Sequence, residues 1–133
     1  MCLNGIKRIY PETDITVYKV FRVCKLGEPG MYCSPYYRFN WVTNKVYETG
    51  KNEPVIFASG AYGDCFHSFD TEDSAEECAV YFKSSPTRVL ITPSWKNDKY
   101  VVKKCLIPKD SKFVYEGTYD YHKCYASEKL IVL

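Results

Sequence analysis

The chain of 133 residues contains two histidines and seven cysteines, the side chains here most able to do chemistry. Cys65-Phe66-His67 and His122-Lys123-Cys124 each place a thiol two residues from an imidazole. Together they offer the four soft ligands of a tetrahedral zinc site. The usual C-x₂₋₄-C spacing is missing, and residues two apart on a strand share a face without chelating, so no metal is expected. A thiol beside a base is also a possible nucleophile, with His67 or His122 serving Cys65. Cys78 and Cys105 fall at apolar positions and read as small core residues. An odd cysteine count argues against a closed disulfide framework, so free thiols in a reducing cytoplasm are expected.

The most informative stretch is Gly63-Asp64-Cys65-Phe66-His67-Ser68-Phe69-Asp70-Thr71. A glycine loop enters a short strand, and a capped helix follows. Cys65, His67 and Phe69 share one face of that strand; Phe66 and Ser68 share the other. Free N–H groups, a positive helix end and an imidazole meet at this junction, which would favour a carboxylate or phosphate. His67, Ser68 and Phe69 are therefore candidate ligand-binding residues. The alternative is that His67 is a hydrogen-bonded strand residue whose loss would cost stability. Signatures for phosphate loops, dinucleotide folds, zinc proteases and serine hydrolases are absent. Lys96, Lys99, Lys103, Lys104, Lys109 and Lys112 gather around Trp95 and Tyr100, but Asp98 and Asp110 dilute their charge.

The elements that must position these residues follow from patterning. Ile15 to Cys24 alternates β-branched and aromatic residues and predicts a strand. Residues 1–14 read as polar and turn-rich. Pro35–Phe39 and Trp41–Tyr47 predict a hairpin turning at Asn40, then a polar loop over Glu48–Pro54 and a short apolar piece, Val55–Ser59. Gly60 and Gly63 predict a loop. One helix is predicted over about 71–83, with Asp70 or Thr71 as N-cap, Glu72 and Asp73 in its first turn, and an apolar stripe of Ala75, Cys78, Ala79 and Phe82. Arg88–Thr92, Tyr100–Ile107 and Lys112–Glu116 predict strands, the last closed by Gly117. Tyr119–Lys123 predicts a loop. Ala126–Leu133 ends in Leu130-Ile131-Val132-Leu133, predicting a strand buried on both faces. The whole is a single α+β domain over 1–133: a curved, mainly antiparallel sheet of six to eight strands with one main helix packed on it.

Composition bounds the rest. Hydrophobic residues make up 46% and charged residues 26%, which excludes a disordered chain. A net charge of +2 gives no strong pull on nucleic acid, so a nucleic-acid partner is not expected. No apolar run is long enough to span a membrane, and Met1 to Gly5 lacks a signal-peptide core, so a soluble, cytoplasmic protein is expected. Tyrosine occurs 13 times, fitting either strands or a binding surface.

The order of Val17-Tyr18-Lys19-Val20-Phe21-Arg22, Cys65–Thr71, Val101–Pro108 and Tyr125–Leu133 resembles small phage and bacterial domains, mostly uncharacterised. That resemblance implies a shared fold. The layout is also weakly similar to the ADP-ribosyltransferase superfamily, which grips NAD between two curved sheets. On that resemblance Arg22 takes the early-strand role, Ser68 or Phe69 the middle one, and Glu116 or Glu128 the late carboxylate. The superfamily's Q/E-x-E and Ser-Thr-Ser are not present. Two functions are thus expected. The first is a phage-type accessory or anti-defence factor that occupies a host protein or a small nucleotide, without a cofactor. The alternative is an ADP-ribosyltransferase-like enzyme with NAD as substrate.

Overall fold

The computed structural model describes residues 4–23, 31–33, 40–49, 55–57, 60–62, 65–84 and 99–133. The strand expected from alternation forms as β2 (Ile15–Val23), and it pairs along its whole length with β9 (Lys99–Ile107). The late apolar segments give β10 (Val114–Tyr119), β11 (His122–Ser127) and β12 (Lys129–Val132). The short strand before the helix is β8 (Phe66–Phe69). The helix, α1, runs Glu72–Ser84. Thr71 is its N-cap: Thr71 Oγ1 accepts the Ser74 N–H at 3.2 Å, and Asp70 instead receives the Tyr125 hydroxyl.

The remaining strands are β1 (Asn4–Ile9), β3 (Met31–Cys33), β4 (Asn40–Val42), β5 (Val46–Glu48), β6 (Val55–Phe57) and β7 (Gly60–Tyr62). Ten strands make one sheet. Its main path is β1-β10-β11-β8-β2-β9-β12-β5, with β3 on β2 and β4 on β3, while β6 and β7 pair separately. All pairings are antiparallel. The fold is α+β, with one main helix packed on a curved sheet.

The curvature has a definite cause. β11 pairs with β10 and β8, and β12 pairs with β9 and β5, yet only Glu128 lies between them. On a flat sheet β8, β2 and β9 would separate β11 from β12 by several strand widths of roughly 4.8 Å each. One residue cannot span that distance, so the sheet must curl until its two halves meet at Glu128. One buried cluster joins residues from both ends of the path, Ile9 and Val114 at one and Leu130 and Tyr47 at the other, around Val17, Phe21 and Trp41. It fills the concave face. The second cluster, Val20, Phe69, Ala75, Cys78, Ala79, Phe113, Tyr115, Cys124 and Ala126, lies between the convex face and α1.

Several local expectations are corrected. Residues 4–9 form an edge strand rather than turns; Asn4, Gly5 and Lys7 are exposed there, so the segment looks polar. Asn40 belongs to β4, and the turn falls at Asn44 (φ 60°), so Trp41–Tyr47 is two short strands. Gly60–Tyr62 is a strand, and Gly117 lies inside β10 opposite Cys124. Tyr119–Lys123 is not a loop: Tyr119 ends β10, His122 and Lys123 begin β11, and only Asp120 and Tyr121 turn between them. In the last run Leu130 and Val132 are fully buried on one face, while Ile131 on the other is half-buried and Leu133, beyond the strand, is exposed. The expectations at Pro35–Phe39, Arg88–Thr92 and Lys96 lie outside the described residues.

Candidate functional site

A groove of about 780 Å³ opens between α1 and the β10–β11 hairpin, lined chiefly by Phe69, Glu77, Cys78, Tyr119, Tyr121 and His122. The hairpin turns in two residues. Tyr119 pairs with His122, and Asp120 (φ 50°) and Tyr121 (φ 68°) both adopt left-handed backbone, a type I′ geometry. That geometry favours Asn-Gly. Tyrosine carries a Cβ penalty of roughly 1–2 kcal/mol there. The Tyr121 side chain is 100% exposed, so no packing offsets the strain.

His122 Nε2 lies 2.9 Å from Glu77 Oε2, and its ring stands edge-on to Phe69 at 6.4 Å. This pair ties the hairpin to the helix. Cys78 sits on the groove wall, and burial pushes its thiol up to about 11, so it stays protonated and is no nucleophile. The same holds for Cys124 on the convex face and Cys105 on the concave face, each raised by burial to about 12. Glu72, Asp73, Glu76 and Glu77 are exposed on α1, and Asp120 is exposed on the turn. The groove and its rim are therefore acidic and aromatic.

Of the candidate ligand-binding residues Phe69 lines this groove, together with His122, which the sequence offered as a metal ligand or base. His67 lies further along β8 on the convex face, opposite Ala126, with its Nε2 3.8 Å from Cys65 Sγ. Burial first, then the nearby Lys19 charge, holds its imidazole down at about 3, so it is neutral. His122 is four residues from Ala126 along β11, about 13 Å away at strand rise, so the two Cys–His pairs do not converge. Among the described residues no group of three or more His, Cys, Asp or Glu could hold a metal.

Ser68 turns to the concave face. It is 1% exposed, and its Oγ has no hydrogen-bond partner among the described residues. Glu116 pairs across β10–β11 with Tyr125, which in turn faces Ser68, and its carboxylate meets Lys123 at 3.8 Å. Glu128 is consumed structurally: 2% exposed, it accepts the Lys112 N–H at 2.9 Å. Arg22 stands near the far end of β2, opposite Tyr100 and Cys33. His67 on the convex face and Glu116 on the concave face thus lie on opposite sides of the sheet rather than in one cleft.

Glu77, Asp120 and Tyr121 were not singled out by the sequence reading. A tight two-residue turn between Tyr119 and His122 was the available signal, but Asp-Tyr is not the Asn-Gly or Asp-Gly pair that announces one. Comparison of the chain with protein-family models, with curated proteins and with solved structures finds no match.

Proposed function

We propose that the protein works by binding another protein through the groove between α1 and the β10–β11 turn. The observation that carries this reading is Tyr121. A fully exposed aromatic ring is held at φ 68° in a turn that glycine would relax. Strain kept where it serves no packing is a mark of function. Tyrosine is also the side chain most suited to anchor an interface. Glu77 and Asp120, which line the groove with it, favour a basic partner surface and disfavour a nucleotide's phosphates at this place. A host protein, occupied by a phage-type accessory or anti-defence factor, fits this chemistry. For the ADP-ribosyltransferase alternative, Ser68 and Glu116 share the concave face on either side of Tyr125, while the Glu128 carboxylate is taken up by the Lys112 N–H.

A photo-crosslinking residue placed at 121 in cells tests the reading, with Tyr10, also exposed, as the control position. The expected result is one dominant protein adduct from position 121 and not from position 10. Equal adducts from both positions would overturn it.

A further inference from the structure

The groove between α1 and the β10–β11 turn carries one carboxylate on each side, Glu77 on the helix and Asp120 on the turn. No lysine or arginine among the described residues lines it. Glu77 gives one oxygen, Oε2, to His122 Nε2 at 2.9 Å, and its side chain is 69% exposed. A neutral imidazole donates that hydrogen bond without cancelling the carboxylate's charge. Asp120 has no hydrogen bond or ion pair among the described residues. Its charge reaches the groove wall: burial pushes the Cys78 thiol up to about 11, with Lys19 opposing the rise and Asp120 adding to it. Two carboxylates flanking one cleft repel each other and favour a cation between them.

The rest of the lining is mostly aromatic. Phe69, Tyr119 and Tyr121 contribute three rings, and Tyr121 is fully exposed. Aromatic faces attract cations. The volume of about 780 Å³ lies within the roughly 300–1,000 Å³ of small-ligand pockets, enough for one long side chain and the backbone that carries it. This lining suits a guanidinium better than an ammonium. A planar fork of five donors meets carboxylates on two sides while its face lies on a ring. An ammonium is a compact, strongly hydrated point charge that loses more water on entry.

We propose that this groove receives one arginine side chain of the partner protein, its guanidinium held between Glu77 and Asp120 and stacked on the groove's aromatic rings. The inference rests on the reading of the groove as a protein-docking site and adds what that site selects.

Titration of the full chain with N-acetyl-arginine amide, followed by the NMR shifts of the Tyr119–His122 amides, tests it. Saturable binding is expected, with N-acetyl-citrulline amide, the neutral isostere, and N-acetyl-lysine amide each weaker. Asp120→Asn suits the left-handed backbone and Glu77→Gln keeps an acceptor for His122, so both variants should fold. Each should bind N-acetyl-arginine amide about tenfold more weakly, and the double variant not measurably. Glu12→Gln, which removes an exposed carboxylate outside the groove, should bind as the wild type does. No saturable shift at Tyr119–His122, equal binding of the citrulline compound, or full affinity in the double variant would overturn the proposal. Equal binding of the lysine compound would overturn the choice of arginine. A dominant crosslink from position 121 without arginine binding would defeat this inference and leave the docking reading standing. Arginine binding with equal adducts from positions 121 and 10 would defeat the docking reading, and with it the claim that a protein carries the arginine.

Discussion

At the scale of the residue, one carbonyl joins two titratable groups. Lys19 donates to the backbone oxygen of His67, and its charge helps keep that imidazole neutral. Burial first, then the Lys19 charge, holds the folded His67 imidazole down at about 3, against an ordinary value of 6.5. Between those values the unfolded chain binds a proton that the folded chain refuses. Stability is therefore full above pH 6.5 and falls as pH drops toward 3. Unfolding in urea at neutral pH and near pH 4.5 should show a loss of about 2 kcal/mol from this group. His67→Gln should reduce that loss; an unchanged acid limb in the variant would assign it to other groups. The alternation of Cys65, His67 and Phe69 against Phe66 and Ser68 was legible, because strand period alone sets it. The Lys19 contact was not, since its partner is a backbone atom 48 residues away.

At the scale of the element, α1 was the most readable part of the chain. Acidic residues in its first turn and small apolar residues at helical spacing said where it starts and which face it buries. They did not decide between Asp70 and Thr71 as cap, because both types cap well and the tertiary partner of Asp70, Tyr125, is remote in sequence. Thr71→Ala removes the acceptor for the Ser74 N–H and should cost about 1 kcal/mol, with Thr71→Ser nearly neutral. Denaturant midpoints at unchanged m-value check this. An equal loss in both variants would point to packing rather than capping. Edge strand β1 escaped notice because an exposed polar edge looks like a turn. The β10–β11 turn escaped because its residues are not those its backbone angles prefer.

At the scale of the whole molecule, closure of the sheet depends on the break at Glu128. An unbroken apolar run suggested one strand buried on both sides. The chain instead changes partners there, since β11 and β12 belong to opposite ends of a curled sheet. Pairing partners so far apart in sequence leave no local signature. Glu128 N–H bonds to Phe113 O, its carbonyl accepts the Thr49 N–H, and its carboxylate holds the Lys112 N–H. Glu128→Ala should therefore cost about 2 kcal/mol, and Glu128→Gln less, because the amide oxygen still accepts. Chemical denaturation measures both, and a neutral Glu128→Ala would remove this residue from the closure. The same curl leaves α1 and the β10–β11 turn together on the convex side, where the acidic helix face and Tyr121 form the proposed binding surface. The most direct test of that surface is the affinity of Tyr121→Gly for the crosslinked partner, measured beside its thermal stability. A variant that is as stable as the wild type or more so, by about 0.5–1 kcal/mol, and binds at least tenfold more weakly is the predicted result. Unchanged affinity in that stable variant would contradict the account.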